Sequence, residues 1–410
     1  MDSLDVCCLL IAGLLVHEWM LRRRRRLVAG VGFALFMTWL GQQGSLSYLG
    51  VRDPSPESWY GAVAAAAAAS LVNLVVPERR TSRREAFPER LRGPHLRAAV
   101  AVGLAGSALM VLRYAQYGAP LLAHSRSETV GSVSPLLSLT AAACLAASVA
   151  MSGIPSGRLP AATRLLIATE LVLVALSGSR LLLLAMVLMF ATARMRSGAW
   201  RLSPKGATWA GLAAAVIAFV VLPGVYSLRA THADGTAVLA QRTLSDPRLS
   251  ENLIRIIGPG TYISARNGAA VTTRLVAMRA RPRHGYVGAA ELHLASIAPG
   301  TPYVEDPEIF LTESVFGLDR SVVGSTALPV TSAVYLDFGL WACALFGGLG
   351  VVVYDRLGRL NFFVANWFVF GLAMSAYGMY LFSPQFVALL AAFGLLTPWL
   401  RRIGAAGDGR

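Results

Sequence analysis

The chain reads as an all-α polytopic membrane protein with about 11 transmembrane helices and one large extracytoplasmic loop. Three observations predict this. Hydrophobic residues make up 55% of the 410 and charged residues only 14%, where a soluble domain carries about 25% charge. Apolar runs recur along the whole chain, at lengths that suit helices crossing a core of about 30 Å at about 1.5 Å per residue. The short loops between them alternate between arginine-rich and nearly free of positive charge, as retention of basic residues on the cytoplasmic side requires. A β-barrel would instead show short segments of alternating polarity.

The expected spans are 4–21, 27–48, 59–77, 98–117, 133–152, 162–178, 181–195, 207–226, 329–354, 361–382 and 384–400. The first apolar run precedes Arg22 to Arg26, the wrong order for a cleaved signal peptide, so it reads as a retained span. His17 and Glu18, beside those arginines, read as interface residues. The third span holds the run Ala64 to Ala69, weakly hydrophobic but able to pack closely, and is expected inside the bundle. The sixth and seventh, joined by Ser179 and Arg180, form a tight hairpin reaching the outer face. Basic loops after the first, third, fifth, seventh, ninth and eleventh spans put the N-terminus outside and the C-terminus in the cytoplasm. The organisation is thus 1–226 with helices one to eight, 227–328 as the extracytoplasmic loop with short amphipathic helices, and 329–410 with helices nine to eleven and a short cytoplasmic tail.

The net charge of +15 invites a nucleic-acid reading, but there is no basic soluble domain to hold a duplex. Lys205 is the single lysine against 36 arginines, a skew that fits a GC-rich genome. Cys7, Cys8, Cys144 and Cys343 all fall in expected spans without metal-site spacing to histidine. There is no glycine-rich phosphate loop, no HExxH and no Asp-x-Asp at the outer face, so nucleotide-driven and obvious metal chemistry are disfavoured.

The loop carries ten arginines against nine acids, so any anion site must come from local clustering. One candidate is Ser177-Gly178-Ser179-Arg180, where a guanidinium fork at the membrane surface suits phosphate or pyrophosphate. A second is Arg274, Arg279, Arg281, Arg283 and His284. Arg279, Arg281 and Arg283 alternate around Pro282, which favours an extended chain with all three pointing one way. His284 is a candidate general base near neutral pH. Among carboxylates, Glu313, Asp319 and Asp337 (the last near the outer end of the ninth span) are each candidates to deprotonate a hydroxyl. Glu170 lies mid-span, either functional or paired with an arginine such as Arg113. Ser179, Tyr286 and Tyr335 flank these groups as candidate substrate contacts.

Ser177-Gly178-Ser179-Arg180 in a helical hairpin, a large late loop containing Ser296-Ile297-Ala298-Pro299-Gly300, and Tyr335-Leu336-Asp337-Phe338-Gly339 leading to Gly347-Gly348-Leu349-Gly350 and Tyr354 resemble the Wzy-type oligosaccharide repeat-unit polymerases of the O-antigen polymerase and ligase superfamily. The resemblance is architectural over the chain and motif-like over about 170–200 and 285–356. It implies an inverting, metal-independent glycosyltransferase of the bacterial cytoplasmic membrane that uses no cofactor. Its donor would be a polyprenyl-diphosphate-linked oligosaccharide, with membrane lipids, a flippase and a chain-length regulator as partners, and no nucleic acid. Arg180 is carried over from the hairpin motif; Arg279, Arg281 and Arg283 stand on clustering alone. The rival expectations are a ligase-like glycan transferase and a transporter or flippase of a lipid-linked anion. The almost uniformly apolar mid-span positions count against the transporter.

Overall fold

The computed structural model describes residues 3–21, 24–42, 51, 53–77, 93–119, 135–154, 161–177, 180–196, 259–297, 301–302, 304, 306–317, 327–376 and 378–408. Among them every regular element is a helix, and no strand occurs. In chain order the helices are α1 (Ser3–Met20), α2 (Arg25–Gln42), α3 (Glu57–Val75), α4 (Gly93–Tyr117), α5 (Pro135–Ser152), α6 (Ala161–Leu176), α7 (Arg180–Arg196), α8 (Pro259–Met278), α9 (Gly285–Ala295), α10 (Pro307–Phe310), α11 (Val330–Phe338), α12 (Leu340–Leu360), α13 (Phe362–Met374) and α14 (Pro384–Asp408). Among the described residues four stretches are long and apolar enough to cross a membrane: Ser3–Met20, Glu57–Val75, His95–Tyr117 and Leu340–Gly358. Leu137–Ser152, Phe363–Met374 and Pro384–Leu396 are apolar but shorter. The expected span 207–226 lies outside the described residues.

The chain divides into two compact units, Met1–Arg80 with Val238–Phe386, and Thr81–Ala237 with Val387–Arg410. In the first unit α3 packs along α12 and meets α1, α2, α8 and α11. The alanine run makes this possible: Ala65, Ala66 and Ala69 are buried, and a Cβ at Gly347 would collide with the Ala65 carbonyl oxygen. Small residues let two backbones approach, and dispersion along the seam holds them.

The expected ninth span, 329–354, is instead two helices. Gly339, at φ 81°, closes α11 and opens α12; only glycine adopts that conformation without steric cost. α11, with nine residues, is about 14 Å long and too short to cross a bilayer. The membrane-length helix is α12. Another break follows at Asn361, whose side chain accepts from the Phe363 and Val364 amides and caps α13.

The stretch read as a loop with short amphipathic helices also differs. α9 and α10 are short, but α8 runs for twenty residues against α2 and α3. Ala269, Ala270, Val271 and Leu275 give it a buried apolar face. Arg266, fully buried on the same helix, donates to the Gly41 carbonyl at 3.0 Å.

Glu18, expected at the membrane interface, is enclosed by protein. It is 1% exposed and accepts from Asn73 Nδ2 at 2.6 Å. Asn73 Oδ1 in turn accepts from Arg24 Nη1 at 2.7 Å, and Arg24 forks onto Asp355 at 2.7 and 2.5 Å. The network joins the ends of α1, α3 and α12 through a residue in the turn before α2, held in the left-handed region at φ 35°.

In the second unit α5 packs against α4, α6 and α7. Glu170 of α6 is fully buried and accepts from Ser148 Oγ of α5 at 2.7 Å, which replaces the pairing with Arg113 weighed from sequence. The carboxylate approaches so closely because Gly103 of α4 lacks a side chain; a Cβ there would collide with Glu170 Oε1.

Candidate functional site

The arginine cluster sits on the joint between α8 and α9. The joint is not extended, because Arg279 lies in the left-handed region at φ 52° and ends α8. A turn from Pro282 to Gly285, closed by the Gly285 amide on the Pro282 carbonyl at 3.0 Å, then starts α9. Proline cannot continue the helix, and glycine at φ 71° tolerates the turn. The alternation expected to align Arg279, Arg281 and Arg283 is therefore broken. All three remain exposed, as do Arg274 and His284.

Asp337 of α11 anchors this joint. Its Oδ2 accepts from the Val287 amide at 2.8 Å, so a carboxylate from another helix caps the positive end of α9. Arg281 Nη2 donates to the Asp337 carbonyl at 3.1 Å, and Arg281 Nε lies 3.5 Å from Oδ1. Gly285 fits only as glycine, since a Cβ would stand 2.8 Å from both carboxylate oxygens. The Asp337 side chain is 1% exposed while that of Arg281 is 55% exposed. A carboxylate so enclosed positions α9 and Arg281.

Tyr286 belongs to the core. It is buried, and its hydroxyl donates to the Ala280 carbonyl, so it closes the joint. Burial first, and the Asp337 carboxylate second, push its phenol up to about 12. Tyr335, half-buried on α11, meets Tyr60 edge to face at 6.2 Å. Glu313 is exposed on a π-helical turn, Leu311–Val315, that follows α10. Asp319 and Ser179 lie outside the described residues. Arg180 is the first residue of α7, in the second unit.

The group that sequence reasoning missed is His293, two turns along α9. Its Nδ1 lies 2.7 Å from the Val304 carbonyl. A carbonyl only accepts, so Nδ1 carries the proton and Nε2 is the basic nitrogen of the neutral ring. Nε2 is directed towards Asp306 Oδ2 at 3.9 Å. Asp306 is held in turn as the N-cap of α10, its Oδ1 accepting from the Glu308 amide at 2.8 Å with Pro307 at the first helical position. Glu308 Oε1 accepts from the Met379 amide at 3.1 Å. His293, Asp306 and Glu308 together line a cavity of about 70 Å³ with Phe382 and Ser383. The Asp306-Pro307 cap is a signal readable in the sequence; the pairing of His293 with Val304 is not.

Along α9 the joint at Gly285 and the ring at His293 lie about 12 Å apart. The helix thus carries exposed cations at one end and an oriented proton acceptor at the other. Among the described residues no three His, Cys, Asp or Glu side chains gather as a metal site. No family model matches the chain, and comparison with curated proteins and with solved structures gives no match.

Proposed function

We propose that the protein is an inverting glycosyltransferase that needs no metal and joins polyprenyl-diphosphate-linked oligosaccharide units at the outer face of the bacterial cytoplasmic membrane. The single observation that carries this reading is α9, with exposed arginines on its N-terminal joint and the oriented ring of His293 two turns on. Support for the substrate class comes from the resemblance of the hairpin and late-loop motifs to oligosaccharide polymerases. The eleven-span topology, with the N-terminus outside, rests on the charge of the short loops.

In the reaction an acceptor hydroxyl attacks the anomeric carbon of the donor glycan. A new glycosidic C–O bond forms as the bond to the diphosphate breaks, and the diphosphate leaves with the electron pair. His293 Nε2 takes the hydroxyl proton. Arg279, Arg281 and Arg283 stabilise the charge that grows on the leaving group, with Arg281 held in place by Asp337. Asp306 steadies the imidazolium that forms, as a carboxylate beside a histidine does.

The test is incubation of the purified protein with lipid-linked repeat units, the products being sized on a gel. A ladder is the expected result. A single larger product would assign ligation, and unchanged substrate would overturn the enzymatic reading in favour of transport.

A further inference from the structure

A second cavity, of about 690 Å³, lies wholly within the second unit, between one face of α5 and one face of α14. On α5 it follows Thr140, Ala143, Ala147 and Met151; on α14 it follows Ala388, Ala392, Leu395, Trp399 and Arg402. Both sets repeat every three or four residues, so each is a single stripe of its helix. Short side chains line both walls, and a leucine in place of one of the alanines would project into the channel. From Ala388 to Arg402 it runs for about 21 Å.

The lining has a direction. Apolar for most of its length, it ends at Trp399 and Arg402. Among the described residues on its wall Arg402 alone is charged, and it is exposed. A tryptophan offers an apolar body with one N–H donor, and an arginine offers a fork of donors, so this end fits a phosphate at a membrane surface. The apolar part fits a hydrocarbon chain. One leaflet is about 15 Å of hydrocarbon deep, half of a core of about 30 Å, so a trough of about 21 Å holds one acyl chain together with the start of its headgroup. A chain that crosses both leaflets would overrun it.

We propose that this trough binds one anionic phospholipid, an acyl chain lying between α5 and α14 and the headgroup phosphate held by Arg402. The site uses none of the residues assigned to glycan transfer and stands whether or not that reaction is correct.

The test uses delipidated full-length protein in detergent, titrated with dipalmitoyl phosphatidylglycerol or phosphatidylcholine, with bound lipid counted by native mass spectrometry. Wild-type protein is expected to retain one phosphatidylglycerol about fivefold more tightly than phosphatidylcholine, the preference that one interfacial cation supplies. Arg402→Gln should erase that preference and Arg402→Lys keep most of it. Ala392→Leu, which fills the trough, should lose both lipids, and Ala147→Leu on the opposite wall should do the same if the first variant melts early. Equal retention of the two lipids by the wild type, an undiminished preference in Arg402→Gln, or displacement of phosphatidylglycerol by an equal amount of polyprenyl phosphate would each overturn the proposal.

Discussion

At one end of the first unit Arg24 is buried and its partner Asp355 partly exposed, whereas at the α8–α9 joint Asp337 is buried and its partner Arg281 mostly exposed. The Arg24 guanidinium spends its donors on protein: both oxygens of Asp355, Asn73 Oδ1 and the Val76 carbonyl at 3.1 Å. Arg281 spends one donor on a backbone carbonyl and faces the carboxylate at a looser 3.5 Å. Residue types are the same in the two pairs, and their availability is opposite. Burying the cation makes a structural lock. Burying the anion instead fixes a cation that stays open to a ligand.

The contrast is broken most severely at Arg24. Arg24→Ala leaves the partly exposed Asp355 without its guanidinium and the buried Asn73 Oδ1 without a donor, which costs about 1–3 kcal/mol. Folded protein recovered in detergent should fall sharply, and Arg24→Lys should rescue it poorly because an ammonium cannot fork. A melting curve matching the wild type would mean that the lock contributes little.

His293→Gln tests the other end of α9. Extension of lipid-linked oligosaccharide should slow by about 10²–10⁴-fold, the range for a lost general base, with thermal melting nearly unchanged. Activity within a factor of about two, in the same assay, would remove His293 from the chemistry.

Gly285→Ala sharpens the comparison at the exposed pair. The substitution forces alanine to φ 71° and pushes a methyl against both oxygens of Asp337, a strain of about 1–3 kcal/mol. Arg281 should lose its anchor, so activity is expected to fall even where the variant is folded. Arg281→Gln, by contrast, should change stability by no more than about 1 kcal/mol, because its guanidinium is mostly exposed and the buried Asp337 carboxylate keeps the Val287 amide.

The smallest effect is alkaline. The Tyr286 phenol is raised from 10.0 to about 12 in the folded protein, so the native state keeps a proton that the unfolded chain releases. That stability is fully present below about 10 and is lost as pH rises towards about 12. Tyr286→Phe should flatten the decline of stability across this window, measured by denaturation at fixed pH steps.

Much of the helical framework was legible in the sequence, because apolar length and loop charge are local properties. α1, α3, α5, α6 and α7 fall within a few residues of the expected spans. The break at Gly339 was not legible, since apolar residues continue on both sides and only the backbone angle separates α11 from α12. The cluster at Arg279 to His284 was legible as a cluster, but its geometry was not, because a left-handed arginine has no compositional signature. The burial of Glu18 was not legible for a related reason: it depends on Asn73, 55 positions away. His293 escaped because its orientation comes from Val304 and Asp306, which the chain brings back only after α9 ends.

The break at Gly339 also bears on bilayer thickness. A continuous helix passes any tilt along its whole length. Here the hydrogen-bond ladder closes at the Gly339 amide on the Tyr335 carbonyl and begins afresh when the Gly339 carbonyl accepts from Cys343. α12 is long enough to cross a membrane, and a span adapts to thicker or thinner lipid by changing its tilt. Asp337 lies on the far side of that joint, on the short helix packed against α3 and α9. The interruption at Gly339 removes the backbone ladder as a route by which tilt of α12 would reach the carboxylate that sets the start of α9.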